Sequence, residues 1–400
     1  MARRVRFGII GCGRIGRWHA KSLQAVADAE LAGVSDLDRS AREAFARSFD
    51  SRAYDSPAAL LQAQDVDVVS ICTPPASHAD LIEAAAAAGK HILVEKPFAL
   101  TLEQANRALE VCSRERVQLG VVHQQRARSA TMALREMIAA GAFGQARIAA
   151  AVHSWFRPPE QLERDAWRGQ AGAGGDVLLD QAIHAIDLLV WFLGEPRWVT
   201  GAITKDASAN IAQTVVATIG FERDALAVLA ASAVANRMRD DIAIEFAGTR
   251  GGFRLEIRDY DNAEIVALDL ATSACDKARR LSPEEVETLI RRQGGAWRAG
   301  PRSRLLRALV GVAGAERGAH PFRSPRAFLR RHIDRVAQAE TGELQGHALL
   351  LAEMVAAARG TGRPLVSGDD ARDAIAIVHA IYRSHDRGGK RIPVARPVRA

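Results

Sequence analysis

Between residues 177 and 193 nearly every position is apolar except Asp180, Gln181, His184 and Asp187. Wound as a helix at about 100° per residue, Asp180, His184 and Asp187 fall near ~0°, ~40° and ~−20°, on one stripe. Burying three ionisable groups on one stripe is costly unless they are partnered or used. One reading is a self-satisfied network, with His184 hydrogen-bonded to an acid. The other is acid–base chemistry, because an imidazole titrates near neutral pH and can take a proton from a hydroxyl. Lys96, in Glu95-Lys96-Pro97, is either a solvated lysine before a turn proline or a cation that steadies alkoxide character on that oxygen. A metal reading of Asp180 and His184 fails on count, since no third His or Cys stands at the usual spacing. Gly-x-Ser-x-Gly and a P-loop are both absent from the sequence.

The elements that must position these groups begin with an apolar run over 5–10, the length of a buried strand. Gly11-Cys12-Gly13-Arg14-Ile15-Gly16 follows at once, and 17–27 reads as a helix. Gly-x-Gly-x-x-Gly thus has its required setting between strand and helix. Gly11 permits the turn, Gly13 lets backbone approach a pyrophosphate, and Gly16 lets the helix pack on the strand. The backbone around Arg14 and Ile15 then opens a helix N-terminus that faces phosphates. A second strand, 29–35, ends at Asp36, 20 residues past Gly16. An acid there binds ribose hydroxyls and repels a 2′-phosphate, which favours NAD and leaves NADP as the second choice. Asp38 competes for the role, and a solvated acid at a strand end is the plain alternative.

Residues 66–72 read as the next buried strand, stopped by Thr73-Pro74-Pro75. A helix over 76–89 closes at Gly89. A strand over 91–94 delivers Glu95-Lys96-Pro97 to the same carboxyl edge, where ligands lie in doubly wound sheets. A helix over 101–115 and a strand over 117–122 complete an α/β unit, residues 1–123, with a parallel sheet. Residues 124–400 read as a second, α+β unit. Strands at 146–154, 198–204, 214–221, 225–235, 242–246 and 253–259 predict a mixed, largely antiparallel open sheet with one exposed face. A helix at 370–384 is expected to return to the first unit.

Several motifs recur in a telling order. Thr73-Pro74-Pro75-x-x-His78 and Gly89-Lys90-His91-Ile92-Leu93-Val94-Glu95-Lys96-Pro97 follow the glycine loop. Trp167-Arg168, the run from Gly174 to Asp187, Ala247-Gly248-Thr249-Arg250-Gly251 and Pro364-Leu365-Val366-Ser367-Gly368-Asp369-Asp370-Ala371 come later. Across roughly 300 residues the chain resembles the glucose–fructose oxidoreductase / inositol dehydrogenase / rhizopine-catabolism (Gfo/Idh/MocA) family. The resemblance implies a Rossmann domain and an NAD(P)-dependent dehydrogenase or reductase. Its substrate would be a sugar, an inositol-like polyol or a nucleotide sugar, with hydride moving between carbon and nicotinamide C4.

The resemblance also implies Lys96, Asp180 and His184 as the catalytic trio and a cis Lys96–Pro97 bond. It places Thr73, Pro74, His78, Glu95 and Lys96 beside the cofactor. It places Arg126, Trp155, Arg157, Trp167 and Arg168 in the substrate pocket. It implies a homodimer or homotetramer formed through the open sheet face. An NAD-dependent glycosidase that oxidises its substrate transiently is the alternative within the same fold. Taken by themselves, His78 equally caps its helix, the Trp and Arg pairs equally serve packing and surface charge, Glu95 supports its turn, and Asp187 is structural.

Composition bounds the rest. Of 400 residues 48% are hydrophobic and 25% charged, as in a folded chain of two or three domains. The net charge of +7 is concentrated: residues 277–331 hold 14 Lys and Arg against 4 Asp and Glu, so they carry +10 and the rest −3. The basicity is therefore local, and binding of an anionic polymer through this stretch is an alternative. The basic insert, about 270–330, is expected to hold a helix over 282–292, with Ser282 as N-cap and Pro283 at its first position, and a second helix is expected over 328–339. It could be a lid, a subunit contact or an arm for an anionic partner. Cys12, Cys72, Cys112 and Cys275 are scattered, with no Cys-x-x-Cys, which fits a reducing compartment. No run approaches the ~18 apolar residues of a membrane span. A cytoplasmic location is the expectation.

Overall fold

The computed structural model describes residues 3–395 except 159, 162–164, 207–209, 236–240, 259–261, 271–278, 281, 283–284 and 286–341. The strands of the first sheet are β1 (Val5–Ile10), β2 (Ala29–Ser35), β3 (Arg52–Tyr54), β4 (Val68–Ile71), β5 (His91–Glu95) and β6 (Leu119–Val122). Their order is β3-β2-β1-β4-β5-β6, and every pairing is parallel. This is the doubly wound order whose switch point lies between β1 and β4. Both loops singled out in the sequence leave the carboxyl ends of those two strands. The connecting helices are α1 (Arg14–Gln24), α2 (Arg39–Ser48), α3 (Pro57–Leu61), α4 (His78–Ala87) and α5 (Leu102–Arg114).

Several boundaries differ from the sequence reading for local reasons. Helix α1 starts at Arg14 rather than at 17, because the turn at Gly11–Gly13 already directs the chain. Helix α4 begins at His78, after a 3₁₀ turn over Pro75–Ser77 that satisfies the residues next to the prolines. Helix α5 has a full capping box, with Thr101 and Gln104 each accepting from the other's backbone N–H. Strand β3 and helices α2 and α3 gave no periodic signal, being three to ten residues long.

Helix α6 (Ser129–Ala139) leads into the second sheet. That sheet contains β7 (Ala146–Ser154), β8 (Pro196–Lys205), β9 (Ala212–Phe221), β10 (Leu226–Ser232), β11 (Asp241–Gly248), β12 (Gly251–Arg258), β13 (Asn262–Leu270), β14 (Arg279–Arg280) and β15 (Ile392–Pro393). Its order is β14-β13-β12-β11-β7-β10-β9-β8-β15. Only β7 and β10 pair in parallel, so the sheet is mixed and largely antiparallel. One face packs on helix α7 (Ile183–Leu193), whose residues are buried almost throughout. The other face leaves Ile148, Val152, Val216, Leu226 and Val228 exposed.

The chain returns to the first sheet earlier than expected. Helix α8 (Gly342–Ala358) packs its Leu350, Leu351, Met354 and Val355 into the core of the first sheet. Val366 and Ser367 then lie along β6, where Val121 N–H donates to the Val366 carbonyl. The helix expected over 370–384 is α9 (Gly368–Asp386), capped by Ser367 with Asp370, and its residues enter both cores. The insert helices expected over 282–292 and 328–339 fall mostly or wholly outside the described residues. Of the first, Ser282 and Glu285 are seen to exchange side-chain and backbone hydrogen bonds at 2.7 and 3.2 Å. Among the described residues no helix is long and apolar enough to cross a membrane.

Candidate active site

The glycine loop is shaped for a dinucleotide. Gly11 has φ +103°, and a Cβ there would lie 2.6 Å from the Cys72 carbonyl oxygen. A Cβ on Gly16 would lie 2.0 Å from the Gly11 oxygen, so only glycine lets α1 sit this close to β1. Around Gly13 a Cβ would meet nothing within 4 Å, so that side of the loop is open. Helix α1 has no side-chain cap and no acid in its first turn, which keeps the N–H groups at Arg14 and Ile15 available to an anion. Asp36 accepts from Cys12 N–H at 2.7 Å and from Asp38 N–H at 2.9 Å. Asp38 is spent elsewhere, accepting from Ser40 and Ala41 N–H as the N-cap of α2. These residues fit the pyrophosphate and ribose of a nicotinamide dinucleotide.

The loop after β4 is tied to the loop after β5. The two ring nitrogens of His78 lie 2.8 Å from the Pro97 and Thr73 carbonyl oxygens, and the side chain is fully buried. His78 therefore braces two loops rather than capping α4. The Thr73 and Ser77 hydroxyls are 2.7 Å apart. Pro74 is extended and precedes the 3₁₀ turn. The Lys96–Pro97 bond is cis. Glu95 accepts from Lys96 N–H at 3.3 Å, and its other oxygen lies 3.1 Å from His19 Nε2 and 3.8 Å from His347 Nε2.

Lys96 points the other way, toward the second sheet. Its Nζ donates to the Asp180 carbonyl at 2.5 Å and lies 3.4 Å from that carboxylate. Asp180 sits in a wide π turn over Val177–Ala182, which Asp176 caps by accepting from Leu178 and Leu179 N–H at 2.8 and 3.1 Å. The expected regular helix over 177–193 is thus a six-residue π turn followed by eleven residues of α-helix. The wide turn shifts the phase between Asp180 and the residues beyond it, and the stripe of three ionisable groups divides. Asp187 forms a bidentate pair with Arg126 at 2.6 and 2.8 Å, with His123 at 3.8 Å. Asp180 instead gathers Lys96, Arg157 at 2.7 Å, and Arg168.

The remaining pocket candidates divide in the same way. Arg126 is 2% exposed and locked on Asp187, away from Asp180. Arg157 also donates to the Gly175 carbonyl at 2.5 Å. A Cβ on Gly175 would lie 2.3 Å from the Arg168 Cα, so glycine there brings Arg168 up to the turn. Trp167 underlies the Arg168 guanidinium at 4.3 Å. The Trp155 carbonyl accepts from Gln181 at 3.4 Å.

Electrostatics follow from this packing. Burial alone would raise the Asp180 carboxyl, but Lys96, Arg168 and Arg157 outweigh it and hold it down at about 2. His184 is 1% exposed; burial first, then Lys96 and the neighbouring His123 and His153, push it well below the usual imidazole value. His153, buried on β7, is pulled down to about 3 by burial and by Lys96. The rings of His123 and His184 meet edge to face, with centroids 6.2 Å apart. The sequence reading passed over His123, His153, His19 and His347. His123 was findable, because it stands one residue past the end of β6, on the ligand edge.

A Rossmann sheet whose ligand edge brings Lys96 against Asp180, on the turn that packs beside the second sheet, fits an NAD-dependent oxidoreductase acting on CH–OH groups. The comparisons give the family. Residues 5–123 match the family described as "Oxidoreductase family, NAD-binding Rossmann fold", and residues 131–254 match the "GFO/IDH/MocA C-terminal domain". The inositol 2-dehydrogenase of Rhizobium meliloti is 32% identical over 278 residues, 67% of this chain and 79% of that one. The UDP-N-acetylglucosamine 3-dehydrogenase of Acidithiobacillus ferrooxidans is 32% identical over 239 residues, 59% and 70% of the two chains. The WlbA dehydrogenase of Bordetella pertussis, solved with NADH and UDP-GlcNAcA, superposes with a TM-score of 0.76 over 99% of both chains at 23% identity, a likeness of fold. The chain belongs to the Gfo/Idh/MocA family.

Proposed function

We propose that this protein oxidises, or in reverse reforms, a secondary hydroxyl of a sugar, polyol or nucleotide sugar, with Lys96, Asp180 and His184 as the reacting group. One observation carries the reading. Lys96, delivered by the nucleotide sheet, touches Asp180 and is the foremost charge acting on His184, so cofactor edge and substrate residues converge on one point. The bound dinucleotide supplies the hydride acceptor. His184 is neutral at working pH and therefore free to take the hydroxyl proton. The Lys96 ammonium steadies the oxygen as it gains alkoxide character. Asp180, ionised and clamped by two guanidinium groups, orients Lys96 and accepts from substrate hydroxyls.

The named substrates of the relatives, inositol and UDP-N-acetylglucosamine among them, support this class. A panel of polyols, sugars and nucleotide sugars, read by absorbance of reduced cofactor with NAD and NADP in parallel, tests it. Turnover of none of them, or a co-purified cofactor that is never consumed, would overturn it; the second result points to the glycosidase. Asp36 supports NAD over NADP. Asp36→Ala is expected to weaken NAD about tenfold, as loss of a ribose contact would, and to narrow the gap to NADP. The working form is a homodimer or homotetramer joined through the exposed Ile148, Val152, Val216, Leu226 and Val228 face. Val228→Asp should dissociate it in sedimentation, with melting little changed.

A further inference from the structure

Among the described residues, the ion pairs around Asp180 are uneven. Lys96, Arg157 and Arg168 all close on this one carboxylate, and their side chains are 7–15% exposed. Asp165, 3.3 Å from Arg168, is the one other acid paired with any of the three among the described residues. Among the described residues within ion-pair distance, three cations thus meet two carboxylates. The neighbouring histidines do not alter the count, because burial and Lys96 keep His184 and His153 neutral. Asp187 contributes nothing here, being spent on Arg126. An oxidised nicotinamide ring would add a further positive charge.

A second observation concerns Arg157. Its Nη1 donates to the Gly175 carbonyl and its Nη2 to Asp180, while its Nε is buried with no acceptor among the described residues. A buried charged donor without an acceptor is costly, and an anionic ligand atom would satisfy it.

We infer that the substrate carries an anionic group, carboxylate or phosphate, on the sugar that is oxidised, and that Arg157 and Arg168 receive it. This deepens the dehydrogenase reading and rests on it. A neutral polyol would leave the surplus charge and the Arg157 Nε–H uncompensated. An acidic sugar would compensate both.

The test uses the full chain with matched sets: glucose, glucuronate and glucose 6-phosphate, and UDP-GlcNAc beside its uronate. The expected result is a kcat/KM at least about tenfold higher for an anionic member than for its neutral match, the size of a charge-assisted contact. The uronate and phosphate arms show which anion is meant. Arg157→Gln and Arg168→Gln should each shrink the anionic-to-neutral ratio at least about fivefold, whatever they do to both rates through Asp180. Should either variant fail to fold, Arg157→Lys or Arg168→Lys keeps the charge and should retain part of the ratio. Equal turnover of neutral and anionic members would overturn the inference and leave the dehydrogenase reading standing. A ratio that survives in both variants would overturn the assignment to these arginines. No turnover of any member would overturn the dehydrogenase reading and the inference with it.

Discussion

Glu95 and Lys96 are neighbours at the end of β5, yet the histidines on their two sides are in opposite states. On the Glu95 side, His19 is buried between β4 and α8, with its Nδ1 2.6 Å from the Ser70 hydroxyl. Burial pulls it down, but the Cys72 sulfur and the Glu95 carboxylate outweigh that and push it up to about 10. On the Lys96 side, burial and the ammonium act in the same direction, and His184 is driven well below its usual value. Burial is near complete in both places, so the sign of the adjacent charge decides the protonation state. One peptide unit thus separates a charged, structural imidazole from a neutral one fit to accept a proton.

The largest effect should come from removing the charge on the catalytic side. Lys96→Met is expected to lower kcat by about 10²–10⁴, the range for loss of a positioned acid–base or alkoxide-stabilising group. It should also raise the His184 pKa, since its foremost charge is gone, and move the acid limb of kcat/KM to higher pH. A limb that stays in place would break the claim that Lys96 sets the state of His184. Binding of NADH, followed by fluorescence, should change far less than turnover.

The next effect is on stability, and its sign differs between the two sides. His184, His153 and His123 have folded values below the unfolded imidazole value near ~6.5. Their contribution is present above that value and is lost as pH falls toward the folded values, about 3 for His153. His19 is the reverse: its contribution is fully present below ~6.5 and is lost as pH rises through about 10. Unfolding free energies from denaturant titrations between pH 4 and 10 should therefore fall at both ends, by about a few kcal/mol at most. His153→Phe should flatten the acid limb alone, and Glu95→Gln the alkaline limb alone. If one substitution flattened both limbs, the two clusters would be a single coupled network.

The two sides also differed in how far they could be read from sequence. The nucleotide edge was legible because each of its demands is local. Gly11, Gly13 and Gly16 serve one turn, Asp36 ends the strand beside it, and the Glu95-Lys96-Pro97 step follows one short strand. The helix carrying Asp180 and His184 was legible as an apolar run with ionisable intruders, but not its pitch. The π turn goes with Asp176 capping two N–H groups and with Arg157 and Arg168 holding the Asp180 carboxylate, contacts that span up to 23 residues. The role of Arg126 depended on Asp187, 61 residues away. The return of α8 to the first sheet depended on packing with residues more than 200 positions earlier. Such partners leave no periodicity to read.

The smallest effect sharpens the structural side. His347 arrives on α8, with its Nε2 3.8 Å from Glu95 and its ring 5.5 Å from that of His19. It brings a second imidazole to a carboxylate that already serves His19 and the Lys96 N–H. At that distance its influence on Glu95 is electrostatic rather than a short hydrogen bond. His347→Gln keeps a polar side chain of similar reach and should cost at most about 1 kcal/mol, with kcat within about threefold, as loss of less than half a tenfold step would give. Its clearest mark should be on His19, whose imidazole loses a competitor for Glu95 and should titrate higher by NMR. If kcat instead fell tenfold or more, Lys96 would depend on the acid side for its placement, and the division at this peptide unit would fail.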